Sequence, residues 1–188
     1  MTIGIGLLGL GTVGAGVAAI LASPEGRHPL VGELALKRVA VRDLDRPRPI
    51  DLAADLLTTN PEAVVDDPSV EIVVEVMGGL EPARSLILRA ISAGKPVVTA
   101  NKAVIARYGE EIAAAAAEKG VYVLIEAAVG GGIPIIEPLK QSLGGNRIHR
   151  VSGIINGTTN YILSRMADEG AAYGAVLAEA QQLGYAEA

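Results

Sequence analysis

Short apolar runs alternate with helical patterns through the first part of the chain. The runs predict strands buried on both faces, because they are rich in Val, Ile and Leu and end at turn residues. They lie at residues 3–8, 36–41, 72–77, 96–99 and 121–126, with a minor strand at 64–65. Helices are predicted after the first run, at 52–57, from 81 to 94, and at 110–119. This alternation predicts an α/β fold whose parallel sheet is doubly wound, with helices on both faces.

The pattern changes near residue 130. A glycine-rich turn at 129–134 leads into a predicted helix that begins at Pro134 and ends at residues 144–146. Residues 148–155 then alternate like a strand with one exposed face, and helices are predicted at 159–168 and 173–183. The sequence therefore predicts one domain at 1–130 and the beginning of an α+β domain at 131–188.

The first predicted strand runs into the sequence Gly9-x-Gly11-x-x-Gly14, and a helix follows with Val13, Val17, Ile20 and Leu21 as its apolar stripe. In this context the spacing is the Rossmann fingerprint of a dinucleotide pyrophosphate site. Gly9 permits the tight turn, Gly11 lets the backbone approach the phosphates, and Gly14 lets the helix pack on the strand. The helix N-terminus then attracts the anion. The alternative is a tight turn in an unrelated α/β protein.

The composition of the chain excludes several kinds of site and of protein. The 188 residues are half hydrophobic but contain no Phe, Trp or Cys, which excludes disulfides, thiolate metal sites and thiol catalysis. A net charge of −5 with scattered Lys and Arg argues against a nucleic-acid surface. Residues 3–22 resemble a signal peptide but lack its basic start, and no other segment is long enough to cross a membrane. A cytoplasmic protein is expected.

The end of the second predicted strand bears on the choice of cofactor. NAD-selective domains carry an acid there that binds the ribose 2′-hydroxyl. Here the first polar residue is Arg42, which can fork onto a phosphate, and Arg46 and Arg48 add charge in the following loop. Asp43 opposes this if it points inward, although it is expected to face water. NADP is therefore favoured, with NAD also accepted.

Six blocks of sequence, in order, resemble the homoserine dehydrogenase family. They are GLGTVG at 9–14, EVMGG at 75–79, VTANK at 98–102, EAAVGGGIP at 126–134, GIINGTTNYI at 153–162 and LGYAE at 183–187. Together the blocks span the chain from end to end. The resemblance implies reduction of aspartate 4-semialdehyde to homoserine with NADH or NADPH, on the route to threonine, methionine and isoleucine.

The resemblance also assigns roles to residues. It places Lys102 beside the nicotinamide and the reacting carbonyl, where an ammonium stabilises alkoxide-like charge; on the residues alone, a lysine past a strand end is more often solvated. It assigns cofactor contacts to the fingerprint glycines and to Thr12, Val13, Gly78, Thr99, Lys102 and Gly184, in addition to Arg42, which is predicted from the end of the second strand. For the substrate it implies Asn156, Gly157, Thr158 and Glu187, the last binding the substrate ammonium. Asn156 or Thr158 also serves as a plain helix cap.

A monovalent, sodium-like cation is implied as well. The resemblance gives it the carboxylate of Glu126 and the carbonyls of Val129, Gly131 and Ile133. Oxygen donors of this kind suit a hard cation. The alternative is a glutamate at a strand end that accepts a hydrogen bond from a neighbouring N–H.

The sequence ends directly after the LGYAE block, whereas the family carries an acid and a lysine further on that hold the substrate and move a proton. We therefore expect a truncated substrate domain, weak activity of this chain alone, and exposed apolar surface over residues 148–183. The resemblance implies that the full-length protein is a homodimer. Two other classes remain open, namely a non-catalytic NAD(P)-binding module and another NAD(P)-dependent oxidoreductase of amino or hydroxy acids.

Overall fold

The first part of the chain forms one six-stranded sheet in which every strand pair is parallel. The structure, a computed structural model, describes residues 2–186. The sheet has the order β3-β2-β1-β4-β5-β6. Its strands are β1 Ile3–Leu8, β2 Leu34–Ala40, β3 Leu57–Thr58, β4 Ile72–Glu75, β5 Val97–Thr99 and β6 Val123–Leu124. The order reverses between β1 and β4, which is where doubly wound sheets bind nucleotides.

Six α-helices accompany the strands. They are α1 Thr12–Ala22, α2 Pro61–Asp66, α3 Ala83–Ser92, α4 Lys102–Lys119, α5 Gly157–Glu169 and α6 Tyr173–Gln182. Short 3₁₀ turns lie at Pro29–Glu33, Ala54–Leu56 and Glu126–Ala128, and a π-helical turn lies at Pro138–Ser142. Contacts divide the chain into two units, the first ending at Glu137 and the second beginning at Pro138. The predicted domain boundary at residue 130 stays a prediction.

Two separate apolar cores show that the sheet is doubly wound, as predicted. Neighbouring residues on one strand point to opposite faces, and Leu7 and Leu8 accordingly lie in different cores. The core that contains Leu8 includes the buried faces of α2, α3 and α4. The core that contains Leu7 includes Ala18 of α1 and the partly buried Leu52. Helices α2, α3 and α4 therefore cover one face of the sheet, and α1 covers the other.

Three predictions for the first unit are wrong in detail. Residues 64–65 are not a strand, because Asn60 caps α2 by accepting a hydrogen bond from the Ala63 N–H at 3.1 Å and Pro61 occupies the first turn. The helix predicted at 52–57 is only a 3₁₀ turn. The helix predicted to begin at residue 110 begins at Lys102, because Asn101 caps it.

The buried stripe of α1 also differs from the prediction. Gly14, Ala15 and Ala18 are buried, whereas Val13 is 54% exposed and Ile20 is exposed. Small residues face the sheet because the helix lies close to β1 behind the glycine turn. In α3, by contrast, the predicted stripe of Leu86, Ile87, Ala90 and Ile91 is fully confirmed.

The second unit contains α5 and α6 around a small core of Ile162, Val176 and Ala180. Both helices confirm the prediction to within two residues at each end. The strand predicted at 148–155 is wrong, because a strand requires a hydrogen-bonded neighbour and the described part of this unit provides none. The helix predicted from Pro134 is reduced to the turn around Pro138–Ser142.

Apolar side chains of the second unit are exposed, as predicted. Ile154 is 70% exposed and Ile155 is 97% exposed, and Leu163 and Leu183 are also exposed. Among the described residues, no helix is both long enough and apolar enough to cross a membrane.

Candidate functional site

The glycine turn after β1 has the geometry that the fingerprint requires. Gly9 has φ of +102°, and a Cβ added there would lie 2.9 Å from the carbonyl oxygen of Val76. A Cβ on Gly14 would lie 2.2 Å from the carbonyl oxygen of Gly9. Since neither backbone atom can move without breaking the turn, both positions require glycine. The roles predicted for Gly9 and Gly14 are therefore explained by close contacts within the protein itself.

Gly11 differs, because a Cβ at this position would meet no atom within 4 Å. It is the N-cap of α1 and provides no side-chain hydrogen bond to the first turn. Thr12 and Val13, also predicted to contact the cofactor, are exposed at the start of the same helix. An open helix N-terminus of this kind favours a phosphate group through its N–H groups and its dipole.

A cavity of about 500 Å³ opens beside this turn at the carboxyl ends of β1 and β2. Its lining includes Gly9, Gly11, Met77 and three arginines, Arg42, Arg46 and Arg48. The structure thus brings the predicted phosphate turn and the predicted Arg42 to one cavity. A concave site with a helix N-terminus and arginines in its lining suits a phosphorylated ligand.

The loop after β2 is held by its own side chains. The Arg48 guanidinium donates to the carbonyls of Leu44 at 3.1 Å and Arg46 at 2.9 Å, and also to that of Asp43. The Asp43 carboxylate accepts a hydrogen bond from the Asp45 N–H at 2.9 Å. One oxygen of Asp43 therefore stabilises the turn, and Asp43 also lines the cavity, while the exposed Arg42 is the first polar side chain beyond the strand.

Glu75, at the end of β4, is fully buried and organises the next two turns. Its carboxylate accepts hydrogen bonds from the Met77 N–H at 2.8 Å, the Thr99 hydroxyl at 2.6 Å and the Asn101 side-chain amide at 3.4 Å. Asn101 also donates to the Gly79 carbonyl at 2.8 Å. No role for Glu75 is predicted from the sequence, although an acid at the end of an apolar strand is a signal that could have indicated one.

Lys102 is the first residue of α4 and is exposed, three residues past the end of β5. Gly78, which has φ of +75°, lies in the turn after β4. The Thr99 side chain is buried and its hydroxyl bonds to Glu75, so a cofactor contact by Thr99 would have to use its backbone. The Glu75 hydrogen bonds thus connect the turns that carry Gly78 and Lys102.

Glu126 lies in a 3₁₀ turn after β6, and its carboxylate accepts three backbone N–H groups. These belong to Ile135 at 2.6 Å, Ile136 at 3.0 Å and Glu137 at 2.6 Å. The residues predicted to supply carbonyl ligands lie just after this turn. Val129 is its C-cap, Gly131 has φ of +62°, and the side chain of Ile133 is exposed. The capping role that the sequence left open for Glu126 is therefore present.

In the second unit, two predicted substrate-binding segments meet. Asn156 caps α5 by accepting a hydrogen bond from the Thr159 N–H at 2.8 Å, and Gly157 is the first residue of that helix. The Thr158 hydroxyl donates to the carbonyl of Tyr185, next to Gly184. Glu187, predicted to bind the substrate ammonium, lies outside the described residues.

The sheet order, the glycine turn and the arginine-lined cavity together define the first unit as a Rossmann domain with a dinucleotide-binding turn. Two family models match the chain. The homoserine dehydrogenase NAD-binding domain matches residues 9–126, and the homoserine dehydrogenase model matches residues 134–188. The chain belongs to the homoserine dehydrogenase family.

Individual relatives support the assignment to this family. The chain is 67% identical over its whole length to a homoserine dehydrogenase of Synechocystis and 46% identical over 98% of its length to that of Bacillus subtilis. It spans 43% of the length of each of these relatives.

Solved structures also resemble it. A homoserine dehydrogenase from Thiobacillus denitrificans matches the whole chain with a TM-score of 0.87 and 55% identity, and the chain covers 44% of that structure. A hyperthermophilic archaeal homoserine dehydrogenase in complex with NADPH matches the whole chain with a TM-score of 0.81 and 28% identity, with 63% of that structure covered.

Proposed function

We propose that this chain forms the cofactor-binding part, and some of the substrate-binding part, of an enzyme that interconverts L-homoserine and L-aspartate 4-semialdehyde. The observation that carries the proposal is the phosphate turn at the β1/β4 reversal in a chain matched by both homoserine dehydrogenase models. The bound nicotinamide would supply the hydride acceptor or donor. The residues of the chain would bind, orient and stabilise charge around that transfer.

Lys102 is proposed as the catalytic residue. It lies at the carboxyl end of β5, on the edge of the sheet where the glycine turn follows β1. Its ammonium would stabilise the negative charge on the substrate oxygen as hydride leaves or arrives. Asn156, Gly157, Thr158 and Glu187 are proposed to bind the amino-acid end of the substrate, with the Glu187 carboxylate paired to the substrate ammonium.

NADPH is the proposed preferred cofactor, with NADH accepted. Support comes from Arg42 and Arg46 in the cavity lining. Arg48 also lines the cavity but donates to carbonyls of its own loop, and Asp43 lines it while one of its carboxylate oxygens accepts from the Asp45 N–H. A guanidinium group binds a 2′-phosphate in a forked geometry that no acid can provide. The archaeal relative whose structure contains NADPH gives independent support.

A sodium-like cation held by Glu126 and the carbonyls of Val129, Gly131 and Ile133 is a further part of the proposal. The proposal rests on the family resemblance and on the chemistry of these donors, because a carboxylate and backbone carbonyls are oxygen ligands that suit a hard cation. The measurement is activity in sodium compared with a large organic cation at equal ionic strength. A full-length homodimer and a cytoplasmic location remain predictions from the family resemblance.

The test uses a full-length enzyme that contains this chain. Wild type should reduce NADP in the presence of homoserine, and Lys102→Ala should lower kcat far more than it raises KM, because the charge that Lys102 stabilises exists mainly in the transition state. Lys119→Ala, at the other end of α4, is the matched control and should behave as wild type. Cofactor binding without homoserine turnover by wild type would instead indicate a non-catalytic binding module.

A further inference from the structure

We propose that Glu75 is a positioning residue for the reaction. From its buried position at the end of β4, it would hold Lys102 and the Gly78–Gly79 turn in the geometry that the reaction requires. This inference rests on the proposed function. Glu75 is not itself part of the cavity lining, although it accepts a hydrogen bond from the N–H of Met77, which is, and it has no hydrogen bond to the predicted substrate-binding residues. It would therefore act through the two turns and not on the reacting atoms.

The burial of Glu75 is the first argument. Its side chain is 0% exposed, and within residues 2–186 it has no ion-pair partner. A buried acid without a compensating charge is costly, and an apolar residue is usually the more stable choice in such a place. The acid at this position therefore indicates a role other than packing in the core.

The second argument is the path from Glu75 to Lys102. One carboxylate oxygen accepts from the Thr99 hydroxyl at 2.6 Å, and that hydroxyl accepts from the Asn101 N–H at 3.0 Å. The Asn101 side chain caps α4 by accepting from the Val104 N–H at 3.2 Å. Both the backbone and the side chain of Asn101 are thus fixed, and Lys102 is the next residue.

The third argument is that the same carboxylate fixes the neighbouring turn. The other oxygen accepts from the Met77 N–H at 2.8 Å, and Asn101 connects to the Gly79 carbonyl at 2.8 Å. Gly78 and Gly79 have φ of +75° and +76°. Glycine loses more conformational freedom on folding than other residues, so hydrogen bonds that hold this turn offset an entropic cost. One buried side chain therefore sets the relation between the turns after β4 and β5.

Glu75 accepts all three of the hydrogen bonds that its carboxylate makes, from Met77, Thr99 and Asn101, and this determines the choice of variants. Glu75→Gln would place an NH₂ group against a donor, either the Met77 N–H or the Thr99 hydroxyl. Thr99→Val removes the connecting hydroxyl at equal volume, and Thr99→Ser restores it. Glu71→Gln is the matched control, since Glu71 is exposed just before the other end of β4.

The experiment measures kcat and KM for homoserine and NADP in the full-length enzyme. Glu75→Gln and Thr99→Val should lower kcat about 10- to 100-fold with little change in either KM, as expected when a catalytic group is displaced by about 1 Å. Thr99→Ser, which returns the hydroxyl, should recover the kcat that Thr99→Val loses, and Glu71→Gln should stay near wild type. In a Lys102→Ala background, Thr99→Val should cause little further loss, because both changes remove the same contribution.

Other outcomes overturn the inference. Unchanged kcat in Thr99→Val, or an additive loss in the double variant, would mean that the network only stabilises the fold. Should Glu75→Gln fail to fold, the Thr99→Val and Thr99→Ser pair still decides the question. Failure of the proposed function itself is distinguishable, because wild type would then show no homoserine-dependent reduction of NADP at all.

Discussion

The two glycines that flank the start of α1 are required for different reasons, and this gives a first prediction. Gly14→Ala should destabilise the domain by about 1–3 kcal/mol or more, because its Cβ would overlap the Gly9 carbonyl at 2.2 Å. Gly11→Ala should cost less than about 1 kcal/mol, as a changed N-cap does, but should weaken NADPH binding strongly. Chemical denaturation without cofactor and an NADPH titration measure the two effects separately. Normal NADPH affinity in Gly11→Ala would show that the turn does not receive the pyrophosphate.

Arg42 gives a second prediction at the residue scale. Arg42→Ala should weaken NADPH binding about 10-fold or more while NADH binding changes little, because only the 2′-phosphate needs the guanidinium. Isothermal titration of both cofactors measures this. Arg27→Ala is the control, since Arg27 is exposed and donates to the carbonyl of Ser23, outside the cavity lining. Equal losses for both cofactors would assign Arg42 to the adenosine part of the ligand.

Residues with a local signature could be predicted from the sequence, and residues defined by partners distant in the chain could not. The glycine spacing is local, so the positions of Gly9, Gly11 and Gly14 followed directly from the residues. Glu75 depends on Thr99 and Asn101, which lie 24 and 26 residues further on. Only the sheet order, which places β4 beside β5, makes these residues neighbours.

At the scale of elements, hydrophobic periodicity predicted the long segments. It failed where a capping residue sets the start of a helix or where a strand needs a neighbouring strand. Helices α3, α5 and α6 and strands β1, β2, β4 and β5 were found because each carries its own apolar pattern. Asn60 and Asn101 start helices that were misread, because a capping side chain overrides weak local patterning. Residues 148–155 have the pattern of a strand without a strand neighbour in the described chain.

Asp67, at the end of α2, gives a prediction about how elements are joined. Its carboxylate accepts from the Ser69 hydroxyl at 2.6 Å and the Ser69 N–H at 2.8 Å, and from Arg38 of β2 at 3.0 Å. The Ser69 hydroxyl, then the Ser69 N–H and Arg38, lower the pKa of Asp67 from 3.8 to about 2. A lowered pKa in the folded state means that the ionised carboxylate stabilises the fold above pH about 4.

This stabilisation should be lost as pH falls from about 4 to about 2. Asp67→Asn should therefore lower the free energy of unfolding at pH 7 by about 1–2 kcal/mol. The difference from wild type should shrink across that acid range. Urea denaturation at several pH values measures it, with the exposed Asp51→Asn as control. A constant difference between wild type and Asp67→Asn at all pH values would contradict the assigned cause.

At the scale of the molecule, the two units differ in how completely the chain buries their apolar residues. The first unit has two cores with many fully buried side chains. The second has a core of three buried residues, and its Ile154 and Ile155 are largely exposed. The chain spans 43% of the length of the Synechocystis relative.

Exposed apolar side chains at neighbouring positions should make the 188-residue chain self-associate, because association removes them from water. Replacing Ile154 and Ile155 by Asn should shift the chain toward monomer, and sedimentation velocity over a range of concentrations measures the shift. Leu30→Asn is the control, since Leu30 is 58% exposed in the first unit and lies apart from this segment in the sequence. Two results would contradict the prediction. One is a wild-type chain that remains monomeric at all concentrations, and the other is an equal shift caused by Leu30→Asn, which would point to general surface hydrophobicity.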